Sequence, residues 1–512
     1  MQPTAEKSEA GTRPGVPEQS IAPAPQPSIP VTPVPANGPA GETVYVPAGT
    51  RLARLWADLK LAARGTRHDY TQGPIGRAIF LLAVPMVLEM LMESVFAVVD
   101  VFWVAKLGAA AVATVALTES MMAIAYSLAF GLAIGTTATV ARRVGEKNPA
   151  GAADAAVQAI TLGILVSGAL GVVGGLVAPD LLRLMGAGPD VLELGTGYAR
   201  VMLGGSASVF LLFVINAAFR GAGDAAVAMR VLWLANAINL VLDPLLIFGV
   251  GPFPEMGVTG AAVATTIGRG VGVLYAASRL WNGAGHIAVH REHLRLHLGA
   301  MWRLVRLCAT GTFQILIGTA AWIGLIRILA TFGSTAVAGY GIAIRIVIFA
   351  ILPAFGLSNA AATMVGQSLG AGDPARAETA VWTASRYNLA FLGTLGVLFV
   401  ALAPWIVAGF TTEADVVHVA TVGLRIIAVG FPLYAFGMTL TQSFNGAGDT
   451  WTPTWINLCV FWVFEIPLAW MLATRTPLAW RGAFWAVMLA YVTLAVVSAL
   501  IFRQGRWKTR RV

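Results

Sequence analysis

From Gly76 onward the chain alternates long apolar segments with short polar breaks. A run of about 20 apolar residues is what an α-helix needs to cross a bilayer core, and the chain has room for about a dozen. The expected spans lie near residues 77–105, 112–140, 155–178, 195–219, 229–250, 258–280, 303–331, 336–366, 379–408, 418–444, 454–473 and 482–502. Composition agrees. Only 12% of the 512 residues are charged, about half the share of an ordinary soluble domain, too little to solvate a globule of this size. A soluble enzyme is disfavoured on that ground, and the 56 glycines suit closely packed membrane helices. The expected fold is all-α, a polytopic membrane protein.

The net charge of +9 does not point to nucleic acid, because the basic residues gather at segment ends. Arg142, Arg143 and Lys147 follow the second span, Arg220 and Arg230 the fourth, Arg291, Arg295, Arg303 and Arg306 the sixth, and Arg376 the eighth; Arg503, Arg506, Lys508, Arg510 and Arg511 close the chain. The positive-inside rule then places both termini and the even-numbered breaks in the cytoplasm, in a cell inner membrane. Cys308 and Cys459 lie in apolar runs, and no disulfide framework is expected. Membrane lipids are the surroundings expected; nothing points to an obligate protein partner.

The chain repeats itself. FRGAGD at Phe219–Asp224 returns as FNGAGD at Phe444–Asp449, VGEKNPAGA at Val144–Ala152 as LGAGDPARA at Leu369–Ala377, and LGAAAVA at Leu107–Ala113 as FGSTAVA at Phe332–Ala338, each 225 positions on. Each half holds six spans, an even number, so the halves enter the membrane in the same direction. A pseudo-two-fold axis along the membrane normal follows, with two lobes around a central cavity, the parallel-repeat plan of transporters. The expected division is residues 1–70 as a disordered Pro/Ala-rich tail with a basic end, 71–285 as the N-lobe, 286–302 as a cytoplasmic linker, 303–503 as the C-lobe and 504–512 as a basic tail. Arg51–Arg67 reads either as a basic amphipathic helix on the membrane surface or as a solvated lead-in.

An acid inside a bilayer carries an insertion cost of about 2.5–3.5 kcal/mol. The first span holds three: Glu89, Glu93 and Asp100. At about 100° per residue they share one face, which must look into the protein or a wet cavity. Either an Arg partner in the bundle or a role in ion coupling accounts for each. Pro85, one turn before Glu89, removes a backbone hydrogen bond and marks a hinge. In the second half Leu325 stands where Asp100 does; packing needs should be alike in both halves, whereas coupling need occur only in one. The fifth span adds Asn239 and Asp243, four apart on one face, with Pro244 freeing the Leu240 carbonyl. That makes a pocket for a hard monovalent cation or a proton relay. The second half reads Glu465-Ile466-Pro467 there, so Glu465 is a weaker candidate, off by one.

VVDVFWVAKLG, ARRVGEKN, YARVMLGG, NAAFRGAGD, NLVLDP, GAAVATTIG and FNGAGDT, in this order and spacing, make the chain resemble the multidrug and toxic compound extrusion (MATE) transporters, most closely their prokaryotic DinF-like branch, from Gly73 to about Phe502. The resemblance implies a twelve-helix, two-lobe antiporter in which H⁺ or Na⁺ entry drives export of amphipathic, often cationic compounds, with no cofactor. It implies Asp100 as the coupling acid and Asn239, Asp243 and Thr265 as the N-lobe cation site, with Tyr198 nearby. Glu93 departs from the family, whose members commonly have an uncharged polar residue there; with Glu89 it reads as a proton relay.

His286, His290, His293 and His297 would share a face on a helix and could bind a transition metal; in an extended linker they scatter. No resident metal is expected. Two other readings compete: a lipid-linked glycan or lipid flippase of related architecture, for which Arg327 and Arg345 leave room, and a membrane-embedded enzyme, against which stands the absence of HExxH, GxSxG and P-loop motifs.

Overall fold

The computed structural model describes residues 51–65, 68–283 and 285–510, with side chains from Trp56 onward; the expectation for the Pro/Ala-rich tail falls outside them. Among the described residues there is no strand. The helices are α1 (Arg51–Arg64), α2 (Ile75–Ala105), α3 (Ala109–Gly145), α4 (Pro149–Leu184), α5 (Pro189–Gly204), α6 (Ser206–Ala222), α7 (Ala225–Phe248), α8 (Val258–Trp281), α9 (Leu298–Ala330), α10 (Ser334–Gly370), α11 (Pro374–Ala408), α12 (Ala414–Val429), α13 (Phe431–Gly446), α14 (Trp451–Asn457), α15 (Ile466–Thr474) and α16 (Arg481–Arg503). A π-helical stretch, Leu458–Glu465, joins α14 to α15.

The 225-residue repeat is written into the helix ends. α3 and α10 begin and end 225 positions apart, and so do α5 and α12. Asn148 caps α4 by accepting from the Gly151 N–H, and Asp373 caps α11 by accepting from the Arg376 N–H, each quenching an orphan donor of the first turn. The GAGD motif repeats for a backbone reason: Gly223 and Gly448 sit at φ 90° and 82°, a left-handed conformation that side chains resist.

Among the described residues, ten spans are long and apolar enough to cross a membrane, α5–α6 and α14–α15 each counting as one. The pair α12–α13 is an eleventh, bent by 56°. Pro432 at the start of α13 removes a helical donor there, whereas its counterpart, Ala207, does not. The sixth expected span, α8, has 24 residues but falls short in apolarity, because it carries Thr259, Thr265, Thr266 and Arg269.

The lobes abut through α2 and α3 against α10 and α9. At the end where α3 and α10 finish the approach is closest: a Cβ on Gly145 would run into the Gln367 carbonyl, and one on Gly370 into that of Arg142. Gln367 Nε2 donates to the Gly221 carbonyl at 2.9 Å and Thr363 Oγ1 to that of Arg220 at 3.1 Å. The segment before α2 lies along the same seam. Asp69 pairs with Lys147 at 2.7 Å, while Arg376 donates to the carbonyls of Tyr70, Gln72 and Gly73.

Several basic residues expected in polar breaks lie within helices instead, among them Arg143, Arg230, Arg303, Arg306 and Arg376. Arg142 and Arg220 lie within α3 and α6 and are buried, because both helices run on past their apolar stretches and find partners inside. Pro85 lies within one unbroken α2. Helix α1 is tied down by Asp58 to Arg77 at 2.8 Å and by Arg230 donating to the Arg64 carbonyl. The histidine segment contains only a short 3₁₀ turn, Arg291–Leu294, and the four rings do not share a face. His286 Nδ1 meets Asp224 Oδ1 at 2.7 Å, and the His297 N–H donates to Gln158.

Candidate functional site

Two adjoining cavities lie between the lobes. One, of about 170 Å³, is lined on the N-lobe side by Glu89, Glu93, Tyr126, Asn216 and Arg220. The other, of about 330 Å³, opens toward the C-lobe with Gln314, Trp322, Tyr434 and Tyr491. Met90, Phe130, Leu352, Phe355 and Gln442 line both, so the two are neighbouring parts of one cleft. Its walls are mostly apolar with a few convergent polar groups, the usual make-up of a small-molecule site.

Periodicity along α2 places its acids on the cleft side, and each meets a different neighbour. Glu89 is 1% exposed and accepts from Arg220 at 2.7 Å and from Asn216 at 3.3 Å. The bundle-Arg alternative holds for it. Glu93, less buried, faces Arg269 at 3.5 Å and accepts from Asn236 at 3.1 Å. Arg269 is itself buried, over the rings of Phe96 and Tyr126. Asp100, two turns further along, has no such partner at bonding distance; Arg269 and Glu119 act on it only through space.

On α7 the four-residue spacing brings Asn239 and Asp243 together. Asn239 Nδ2 donates to Asp243 Oδ1 at 3.2 Å and to Thr265 Oγ1 of α8 at 3.0 Å. All three residues are buried, and Asp243 is 0% exposed. Two oxygens remain unbonded, Asn239 Oδ1 and Asp243 Oδ2. Buried unsatisfied oxygens are rare enough to need an explanation. Asp100 and Tyr198 lie within electrostatic reach of Asp243, so the expected set Asp100, Tyr198, Asn239, Asp243 and Thr265 is brought together. A proton on the carboxyl, or a monovalent cation drawn to the free oxygens, suits this donor set.

Arg269, Glu119 and Asn236 escaped the sequence reading. An Arg in mid-span between Gly268 and Gly270 was the available signal for the first; Glu119 stands alone in ALTESMM, and its place opposite Arg345 of the C-lobe is a tertiary fact. Of the four histidines, only His290 and His293 meet, with Glu292; their ligand atoms lie within 4.8 Å of one another, but His293 Nδ1 already accepts from the His290 N–H.

Comparison with known proteins agrees with this architecture. The "Probable multidrug resistance protein YoeA" of Bacillus subtilis (strain 168) is 26% identical over 445 residues, 86% of this chain and 95% of the relative. A "FAD transporter" of Shewanella oneidensis is 27% identical over 409 residues, 79% of this chain and 89% of the relative. A structure described as the outward-facing conformation of a multidrug resistance MATE family transporter superposes with a TM-score of 0.81 at 26% identity, covering 86% of this chain and 98% of the other. The family model described as MatE matches residues 85–245 and 314–471, one stretch in each half. The chain belongs to the MatE family of membrane transporters.

Proposed function

We propose that this protein exports amphipathic, cationic compounds by antiport with H⁺ or Na⁺, through alternating access across a cell inner membrane, with both termini in the cytoplasm. The observation that carries this reading is that Asp243, fully buried and bonded to Asn239 beside Thr265, has a free oxygen and no Arg or Lys at bonding distance among the described residues, whereas the buried Glu89 is paired with Arg220. Unsatisfied oxygens at membrane depth call for a proton or a bare cation. In this reading Asp100, Asn239, Asp243 and Thr265 receive the coupling ion and Tyr198 closes the site. Two carboxylates sharing one pocket repel each other when both are charged, so arrival of the ion removes that repulsion and alters how α2 packs on α7. Pro85, which lacks its own helical donor, gives α2 a place to bend in response.

Glu93 stands between the cleft and Asp100 on the same helix face and serves as a proton relay. Glu89, held by Arg220, is the more static end of that line. The glycine seam between α3 and α10 supports alternating access, since backbone meets backbone there and the lobes part when the bonds of Gln367 and Thr363 to the α6 carbonyls are given up. The names of the relatives span drugs and, in one case, FAD; the apolar lining with acids on one wall favours amphipathic cations here. The test is the purified chain in vesicles with imposed H⁺ or Na⁺ gradients and a panel of cationic dyes. Uphill dye export under either gradient is the expected result, and dye movement only down its own gradient would defeat the reading.

A further inference from the structure

The C-lobe holds one acid that the N-lobe site does not use. Glu465 ends the π-helical stretch and is 3% exposed. Among the described residues it has no hydrogen bond or ion pair within bonding distance, and no Lys, Arg, His or second carboxylate acts on it. Three phenols, of Tyr340 on α10, Tyr434 on α13 and Tyr491 on α16, lie within its electrostatic reach. The Tyr340 hydroxyl is buried and has no partner. Nothing charged on α9 or α14, which pack on the same stretch, compensates the acid.

We propose that Glu465 is a second proton-binding carboxyl, seated in the C-lobe and loaded from the cleft. A bare carboxylate in apolar surroundings with no counter-charge is strongly disfavoured, whereas a neutral acid can donate to a phenol oxygen. The unpartnered Tyr340 hydroxyl, within electrostatic reach but not bonded to Glu465 in this structure, is a phenol oxygen that such an acid could turn toward. A hard metal cation fits poorly, since it seeks a cage of several anionic or carbonyl oxygens and the described neighbours are three neutral phenols. The π-helical turn supplies a second argument. Wide turns of this kind gather at functional places, and Pro467 just after it leaves the Val463 carbonyl without its helical donor, a further acceptor beside the acid.

Access runs through the tyrosines. The rings of Tyr434 and Tyr491 lie 4.2 Å apart, and both line the larger cavity, as do Asn457 and Phe461 near Glu465 in sequence. A proton entering or leaving Glu465 therefore passes the wall against which cargo would rest. The proposal does not depend on the N-lobe coupling site.

Infrared spectroscopy of the full chain in lipid at neutral pH tests it without transport. In the Asp100→Asn/Asp243→Asn background, a carboxylic-acid carbonyl band should remain, shift when glutamate is ¹³C-labelled, disappear in Glu465→Gln and change frequency in Tyr340→Phe. The labelling arm shows the acid to be a glutamate, and Glu465→Asp, which keeps a carboxyl at the site, should leave a band that no longer responds to that label. Absence of a label-sensitive band, or its persistence unchanged in Glu465→Gln, would overturn the proposal. Loss of dye export with the band intact would instead count against the antiport reading alone.

Discussion

The two lobes share their helix ends and differ in their charged interiors. Shifted by 225 positions, Glu89 becomes Gln314, Arg220 becomes Asn445, Asp100 becomes Leu325, Thr265 becomes Ala490 and Arg269 becomes Leu494. Where the N-lobe has an ion pair the C-lobe has two amides, and Leu325 is fully buried in the main apolar cluster. A buried polar cluster of the C-lobe is neutral, with Asn388 donating to Ser358 at 3.1 Å and to Thr439 at 3.0 Å. The Asn148 and Asp373 caps and the positive-φ pairs Gly108/Gly333 and Gly223/Gly448 are kept in both halves. The fold therefore requires the punctuation of the repeat but not the charges, so the charges of the N-lobe answer to another demand.

The largest effect should come from breaking the N-lobe ion pair. Arg220→Ala strands a buried Glu89 and should destabilise the protein by about 3–5 kcal/mol, read as a large drop in thermal midpoint in detergent. Asn445→Ala at the matching place should cost about 1 kcal/mol. Glu89→Gln with Arg220→Asn, which copies the C-lobe amides, should restore most of the loss; equal sensitivity of both lobes would break the comparison.

Next comes the seam that both halves build. Gly145→Val puts a side chain into the Gln367 carbonyl, so the end where α3 and α10 finish should fail to close. Spectroscopic distances between labels on α3 and α10 should lengthen and export should fall severalfold. Unchanged distances would show that the seam yields easily.

Glu93→Gln should have a smaller, selective effect. H⁺-driven export weakens while any Na⁺-driven export is largely kept, and equal loss under both gradients would assign Glu93 to structure or cargo.

The smallest effect is expected at Asp69. Burial alone would raise its carboxyl, but hydrogen bonds from Lys147 and Thr71 outweigh that and bring it down to about 2. A depressed acid contributes its stabilisation above the ordinary value of 3.8 and loses it as pH falls through about 2. Because the pair is partly exposed, Asp69→Asn should only quicken proteolysis of the segment before α2. A wild-type segment already released at mildly acid pH would contradict this.

Much of this was legible in the residues themselves. Apolar runs mark the spans, the repeated motifs mark caps and turns, and the four-residue spacing of Asn239 and Asp243 needs only a helix to bring them together. What was illegible depends on neighbours distant in sequence. Arg220 reads as a loop charge because the apolar run ends before it, yet α6 continues and Glu89, 131 positions away, receives it. The low apolarity of α8 follows from its inward polar face, which only packing against α7 explains. The π-helical turn before Glu465 leaves no mark in composition, and the offset between Asp243 and Glu465 about their prolines is its only trace.

The central claim is that Asp100 and Asp243 act as one coupling site in the N-lobe. A double-mutant cycle on gradient-driven dye export from vesicles tests it directly, with insertion and folding verified for each variant. Asp100→Asn and Asp243→Asn should each abolish export to a similar degree, and the double variant should lose little more than either, because residues serving one site do not add. Export at the wild-type rate in either single variant, or partial losses that simply add in the double, would contradict the account.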